Sequence, residues 1–166
     1  MMKRSIKLLF TGVLAALLMT MVGCSTLEER QERQRVTHQL VEQAISQRRM
    51  TIEVDHMQTQ RYGNHRVTSD FCLKLRGDTL ESYLPFFGQA YALPYGSPSQ
   101  GLNFTSPIYG FRQSTTSNGA TCMEMDVRSN EDRFYYRVDI YPNGKAYIFV
   151  RPQERDFVSF DGELVF

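Results

Sequence analysis

The sequence predicts an α+β fold that is mostly β, with an N-terminal helix packed on an antiparallel β-meander that forms a half-open or closed barrel. Three observations support this prediction. Apolar and polar residues alternate in short segments from Met50 to the C-terminus, as in half-buried strands. Turn residues separate these segments at hairpin spacing, and the segment before Met50 has the apolar spacing of a helix. The 9 Tyr and 11 Phe residues also favour strands.

The predicted helix runs from Leu27 to Arg49, with its first turns outside the folded body. Its apolar residues share one stripe, which we expect to pack on the sheet. The stripe consists of Val36, Leu40, Val41, Ala44 and Ile45. A coiled-coil partner helix is the alternative, but the apolar repeat is too short to sustain one.

The predicted strands follow from the two-residue alternation of apolar side chains. They cover residues 50–55, 67–75, 79–83, 108–113, 121–127, 134–141, 146–151, 157–160 and 163–166. Asn143-Gly144 lies between two alternating segments and is the clearest hairpin signal in the chain. The segments Arg61–His65 and Asp161-Gly162 are predicted to be turns. The chain is predicted to be irregular from Pro85 to about Leu102.

Residues 1–23 have the organisation of a lipoprotein signal peptide. A basic start is followed by the apolar run 8–22, which is short for a membrane span of roughly 20 apolar residues. An N-terminal transmembrane anchor is the alternative. The segment Met21–Cys24 resembles a bacterial lipobox, whose cysteine is acylated on sulfur and becomes the first mature residue. The sequence therefore predicts lipidation at Cys24.

This interpretation divides the chain into a signal peptide (1–23), a lipidated tether (24–35) and a single helix-plus-β domain (36–166). Ser25 follows the cysteine, which in lipoproteins of this type indicates passage to the outer membrane. Glu28-Glu29 faintly resembles an acidic surface-export signal. The predicted location is the cell envelope, where the protein is held by lipid chains, since stable anchoring takes two or more of them.

Charge and motifs limit the partners. The 19 Lys and Arg residues nearly balance the 18 Asp and Glu residues, and loss of the basic signal peptide turns the net charge slightly negative. A basic footprint for nucleic acid is therefore absent. Without a phosphate-cradling glycine loop, we predict no cofactor. The predicted partners are the membrane, through the N-terminal lipid, and either an envelope protein or a small apolar ligand.

The stretch from Ser82 to Gly96 joins two strand-rich halves and is rich in aromatic residues. Phe86, Phe87, Tyr91 and Tyr95 have the composition of an apolar ligand pocket with hydroxyl groups at its edge. The alternative is that they fill one end of the barrel as core. The sequence favours the core interpretation, because a chain of this size needs large side chains at its centre.

Several segments together resemble one known family. They are Tyr62-Gly63, Val67–Asp70, Tyr83–Tyr91, Pro94–Gly96, Leu102–Phe104 and Phe160–Gly162. The chain resembles the domain-of-unknown-function family DUF4251, which comprises small envelope lipoproteins of gut anaerobes. The resemblance spans the mature chain after the first helix turns. It implies an envelope lipoprotein and no particular reaction.

Cys72 and Cys122 remain once Cys24 is lipidated. Strand alternation places each on the polar face of its strand. Disulfides form outside the inner membrane, and a bond requires the Cα atoms to come within ~7 Å, so the two strands would have to be neighbours. Two separate thiols are the alternative, and the sequence leaves both open.

No residue set indicates catalysis or metal binding. His38, His56 and His65 lack the closely spaced ligand pairs of zinc sites, so no metal site is predicted. The chain has no Gly-x-Ser-x-Gly elbow. Glu124, Asp126 and Asp139 are candidates for an acid–base pair. Strand alternation instead favours the interpretation that they are outward-facing residues without a catalytic role. We predict a non-enzymatic binding or accessory module; the alternative is a lipid-anchored hydrolase with an unrecognised site.

Overall fold

The computed structural model describes residues 27–67, 70–89, 101–130 and 132–166. The chain forms two compact units, Met1–Arg35 and Val36–Phe166. Within the described residues there are one helix and nine strands: α1 (Leu27–Gln47), β1 (Arg49–Thr59), β2 (Gly63–Arg66), β3 (Cys72–Arg76), β4 (Thr79–Leu84), β5 (Leu102–Thr115), β6 (Thr121–Arg128), β7 (Arg133–Ile140), β8 (Lys145–Pro152) and β9 (Val158–Val165). No helix in this part of the chain has the length and apolar character needed to cross a membrane.

The strands form one antiparallel sheet that closes on itself. Strands β3 to β9 follow one another as a meander, and β1 pairs with β3 on one side and with β9 on the other. Eight strands therefore make a closed barrel, in agreement with the predicted fold class. The short strand β2 is extra: it pairs with the second half of β1, beyond the point where β3 begins. Closure removes the exposed strand edges that an open sheet would present.

The barrel has two different ends. At one end, which we call the base, α1 leads into the start of β1, and the turn 141–144 joins β7 to β8. The other end, which we call the mouth, holds the connections from β4 to β5, from β6 to β7 and from β8 to β9, of which the last is the loop 153–157. Antiparallel strands joined in order place these three connections together.

The interior is filled by side chains from alternate positions of every barrel strand. Its fully buried members include Ile52, Met123 and Tyr136, each no more than 1% exposed. The Tyr136 hydroxyl donates a hydrogen bond of 3.0 Å to Ser82 Oγ, which satisfies the polar group of a buried ring. A residual cavity of about 10 Å³ lies beside Met125. Eight-stranded barrels have room for side chains or for one small ligand, and this one is filled by side chains.

The helix meets the base through a face rotated from the predicted stripe. Val41 is buried in the core, and Ala44 and Ile45 pack against it. Val36 and Leu40 instead stay 45% and 37% exposed.

The helix ends two residues earlier than predicted, because Arg48 takes a left-handed φ of 48°. The Arg48 guanidinium lies 4.0 Å from the centre of the Phe111 ring and 2.9 Å from Asp78 Oδ1. The Gly77 amide donates to the Arg48 carbonyl oxygen at 2.8 Å. These contacts fix the angle at which the chain enters β1.

A β-bulge in β1 explains two wrong strand predictions. Val54 pairs with Gly162 and His56 with Asp161, so Asp55 is an extra residue and the inward positions shift from Val54 to Met57. The shift breaks the two-residue alternation, which is why β1 was predicted to end early. Asp161-Gly162 was predicted to be a turn, but it lies inside β9.

Gly162 is needed for close strand approach and not for a turn. A side-chain Cβ at this position would collide with the carbonyl oxygen of Glu53 on β1. Glycine removes that collision and allows the barrel to close beside the bulge.

Two other element predictions are corrected. The segment 61–65, predicted to be a turn, includes the start of β2, whose four residues are all exposed and therefore carry no apolar pattern. Strand β5 starts at Leu102 and not at Ile108, because Leu102 and Ser106 face inward and complete the pairing with β4. The polar Ser106 and the proline that follows it interrupt the apolar alternation, so the sequence pattern does not indicate this half of the strand.

Of the two alternatives that the sequence left open for the cysteines, the structure has separate thiols: Cys72 and Cys122 are free. Cys72 lies on β3 and Cys122 on β6, with β4 and β5 between them. Two strands separate the cysteines, and Cys72 lies in register with Asn103 of β5 whereas Cys122 lies in register with Ser114, so the two thiols are beyond the reach of a disulfide.

Replacing Gly162 by valine is expected to destabilise the protein by about 3 kcal/mol or more, at the upper end of overpacking costs, because β1 and β9 must separate to admit the side chain. The exposed neighbour gives the control: Asp161→Asn should change stability by less than about 0.5 kcal/mol. Urea denaturation followed by circular dichroism measures both. Equal stability of Gly162→Val and the wild type would show that β1 and β9 do not approach closely.

Candidate ligand site at the barrel mouth

A buried carboxylate ties the aromatic stretch to the loop between β8 and β9. The Asp156 carboxylate accepts hydrogen bonds from the Gln89 amide at 3.0 Å and from Arg61 Nε at 3.1 Å. The Asp156 amide in turn donates to the Gln89 carbonyl oxygen at 3.0 Å. The Asp156 side chain is only 2% exposed, so these contacts compensate for burying its charge. They hold residues 85–89 against the mouth.

A second buried carboxylate, that of Asp132, shapes the same loop. The Asp132 carboxylate accepts hydrogen bonds from the backbone amides of Arg133 at 2.7 Å, Gln153 at 3.2 Å and Glu154 at 3.3 Å. Arg155 Nε lies 3.7 Å from its second oxygen, and both side chains are almost completely buried. A carboxylate with several amide donors is a rigid support, so the loop 153–157 has a fixed path.

These loops position the first aromatic residue of the stretch. The Arg155 guanidinium carbon lies 5.6 Å from the centre of the Phe86 ring, a cation–π contact. Phe86 also packs against the hydrophobic core. It therefore belongs to the closure of the barrel.

Phe87 faces a cavity of about 300 Å³ instead. The cavity opens at the mouth between β1, β2 and the end of β4. Its lining residues are mostly apolar: Met57, His65, Arg66, Val67, Phe71, Pro85 and Phe87. We call it the mouth cavity. Its volume lies at the lower end of the range for small-molecule sites, about 300–1,000 Å³.

The walls of the mouth cavity differ in exposure. Met57 at its floor is 2% exposed, whereas the Phe87 ring on its rim is 61% exposed. The rings of His65 and Phe87 lie 6.3 Å apart, and the Phe71 ring packs 5.1 Å from that of Tyr83. The cavity thus combines a buried apolar floor with an aromatic rim.

The only cation that lines the described part of the mouth cavity is Arg66. It is exposed on the four-residue strand β2, and in the described residues it has no ion pair. His65 precedes it on the same strand. An apolar cavity with one guanidinium at its edge suits an apolar group joined to an anion.

The predicted pocket residues are therefore divided. Phe86 lies with the core and Phe87 lines the cavity, while Tyr91 and Tyr95 lie outside the described residues. Sequence reasoning missed Met57, Val67 and Phe71. The bulge in β1 breaks the alternation that would have identified Met57 as an inward-facing residue. Nothing in the sequence shows that these three side chains approach the aromatic stretch.

The three histidines do not converge on one site: His56 and His65 are one register position apart on the paired strands β1 and β2 and so face opposite sides, and His38 lies on the helix. His38 Nδ1 is 3.7 Å from Glu42 on the same helix, and His56 Nδ1 is 3.0 Å from Asp55. His65 lies beside Phe87. Within the described residues, no three His, Cys, Asp or Glu side chains are arranged to hold a metal ion.

The carboxylates weighed as acid–base candidates lie on the outer face of β6 and β7. Glu124 Oε1 accepts a hydrogen bond of 2.6 Å from the Tyr135 hydroxyl. Asp139 pairs with Arg137 at 3.0 Å. Burial raises the pKa of the Cys122 thiol, and its hydrogen bond to Asp139 raises it further, so this cysteine is a poor nucleophile.

On this face, Tyr135 has a pKa that is clearly shifted from its ordinary value. Burial, followed by the hydrogen bond to Glu124 and the charge of that carboxylate, raises the pKa of Tyr135 from 10.0 to about 12. Its phenol therefore stays protonated and acts as a hydrogen-bond donor at neutral pH. This tyrosine lines a second groove, described below.

Comparisons with known proteins address the fold and the family. A family model described as a domain of unknown function (DUF4251) matches residues 32–164. Among solved structures, a DUF4251 family protein from Bacteroides eggerthii DSM 20697 is similar, with a TM-score of 0.55 and 12% identity over 78% of this chain and 87% of that one. At this identity the likeness concerns the fold alone. No curated protein matches this chain in sequence.

The variant Glu124→Gln is expected to lower the pKa of Tyr135 from about 12 toward 10, because the phenolate loses a neighbouring negative charge. Burial, the larger cause, keeps the pKa above the ordinary value. NMR titration of the labelled tyrosine ring measures it, with Glu53→Gln on β1 as the control that leaves it unchanged. An unchanged pKa in Glu124→Gln would contradict the pairing.

Proposed function

This chain belongs to the DUF4251 family of domains of unknown function, and from that premise and the mouth cavity we propose that it is a lipid-anchored envelope protein that binds a small amphiphile. The observation that carries the proposal is the mouth cavity of about 300 Å³, with its apolar walls and single guanidinium. The protein acts as a binding or accessory module and catalyses no reaction.

The filled barrel supports a site at the mouth. A ligand inside the barrel would have to displace side chains such as Tyr136, which is 0% exposed and hydrogen-bonded. The mouth cavity needs no such displacement, because its floor at Met57 is already formed and its rim is held by the Asp156 contacts. A preformed site binds without a large ordering cost.

The charge at the rim supports a ligand with an anionic head. An acyl chain of about ten carbons places its apolar part against Val67, Phe71 and Phe87 and its carboxylate near Arg66. The aromatic wall contributes burial of apolar surface, at roughly 25 cal/mol per Å². The exposed guanidinium contributes selectivity for the anion, at a modest energy because it is solvated.

The absence of a recognisable catalytic set favours binding over the lipid-anchored hydrolase. In the described residues, the contacts of the three histidines are with carboxylates or with an aromatic ring. The buried thiol, Cys122, has a raised pKa and lies among Asp139, Ser114 and Arg137. The Asp139 carboxylate raises the pKa of the Cys122 thiol and so disfavours the thiolate, and none of the histidine contacts involves a nucleophile.

Decanoate and decanol serve as probes for the mouth cavity, measured by isothermal titration calorimetry. Phe87→Ala is expected to weaken both roughly tenfold through lost apolar contact. Arg66→Gln should weaken decanoate by roughly threefold to fivefold and leave decanol unchanged. The controls are Phe157→Ala, another exposed aromatic residue, and Arg49→Gln, another exposed strand arginine. The proposal fails if neither probe binds saturably, or if the control variants weaken binding equally.

The variant Cys24→Ser is expected to abolish fatty-acid labelling of the protein and to release it from the membrane fraction, because the lipidated thiol is lost. Metabolic labelling with a radioactive fatty acid, followed by fractionation, measures both effects. Cys72→Ser is the matched control and should keep label and membrane association. Unchanged labelling in Cys24→Ser would rule out the lipid anchor.

A further inference from the structure

A second groove crosses the outer face of the barrel near the mouth. It has a volume of about 720 Å³ and runs over β5 to β8. Three arginines and two tyrosines give it its character: Arg128, Arg133, Arg151, Tyr109 and Tyr135. We call it the arginine groove. It does not share residues with the mouth cavity.

We propose that the arginine groove binds an anionic glycan, in which sugar rings carry sulfate, phosphate or carboxylate groups. The inference goes beyond the amphiphile site and is independent of it. It takes from the proposed function only the location in the envelope.

Two of the arginines oppose each other in register. Arg128 on β6 is the direct cross-strand partner of Arg133 on β7. Like charges in this position destabilise a sheet. In the described residues, neither arginine has an ion pair that would offset the repulsion. An anion between the two guanidinium groups would satisfy both, since each presents a planar fork of donors.

A second pair of arginines that oppose each other across strands has a carboxylate nearby to offset the repulsion between like charges. Arg49 on β1 is the cross-strand partner of Arg76 on β3. There, Arg76 Nε lies 3.4 Å from Glu81 on the next strand. Among the described residues that line the groove, Asp126 supplies one carboxylate, so the three arginines still leave an excess of positive charge.

The aromatic residues shape the groove for rings. A β-bulge in β5 makes Tyr109 an extra residue between Ile108 and Gly110, and its side chain is 72% exposed. Bulges re-aim side chains in this way next to functional sites. The Arg151 guanidinium carbon lies 5.1 Å from the centre of the Tyr135 ring, and the Tyr135 hydroxyl is fixed on Glu124 at 2.6 Å. A sugar ring has apolar faces that pack on tyrosine, while its anionic groups reach the arginines.

Heparin, a sulfated glycan, and neutral dextran are the probes, with binding measured by calorimetry at two salt concentrations. The wild type is expected to bind heparin, more weakly at higher salt, and not to bind dextran. The double variant Arg128→Gln/Arg133→Gln should lose affinity roughly tenfold or more. The matched control Arg49→Gln/Arg76→Gln removes the same charge from the other opposed pair and should change affinity less than twofold.

Thermal unfolding separates lost binding from lost folding. Without ligand, the groove variant should be as stable as the wild type or more stable, because the like-charge pair is gone. Heparin should raise the Tm of the wild type and of the control variant, but not of the groove variant.

Three outcomes would overturn the proposal. They are equal loss of affinity in both double variants, binding of single-stranded oligothymidine as tight as that of heparin, and a fall in the stability of the ligand-free groove variant. The Phe87→Ala variant should bind heparin normally, so failure of the amphiphile site and failure of this inference can be told apart.

Discussion

The pairing of β1 with β9 is the interaction on which the rest of the structure depends. It joins the first strand of the barrel to the last, over eight residue pairs, and it converts a meander into a closed barrel. It also requires two local departures from regular strand geometry: the bulge at Asp55 and the glycine at position 162. A Cβ at position 162 would collide with the backbone of Glu53 on β1, so the two strands could not approach as closely as they do beside the bulge.

Closure determines where binding is feasible. The closed barrel is narrow enough for its own side chains to fill it, and a buried tyrosine hydrogen-bonded to Ser82 occupies its centre. Because the interior is filled, both proposed ligand sites lie outside it, one at the mouth and one on the outer face. The mouth is stabilised by two buried carboxylates, Asp132 and Asp156, whose partners are mostly backbone amides of neighbouring loops. These contacts keep the Phe87 rim in place.

Much of the fold was predictable because one face of each strand is buried. The hairpin at Asn143-Gly144 and the strands around it follow directly from alternation, and the structure has them nearly as predicted. Errors arise where that rule does not apply. Strand β2 is exposed on both faces, β1 contains a bulge, and Gly162 serves close approach instead of a turn.

The candidate sites were less predictable than the fold. The aromatic composition around Phe87 suggested a pocket, but Met57 and Phe71 reach it from strands that are distant in sequence. The arginine groove has no sequence signal, because Arg128 and Arg133 become neighbours only through cross-strand register. Alternation shows which residues face outward but not which of them meet across strands.

Native-state hydrogen exchange of the backbone amides in β1 tests the closed barrel most directly. The amides from Glu53 to Thr59 that face β9 should exchange only through global unfolding, with the same free energy as the central strands β6 and β7. An open sheet would expose this edge of β1 to solvent. Fast exchange along that edge, together with slow exchange in β6 and β7, would contradict the closed barrel and its filled interior.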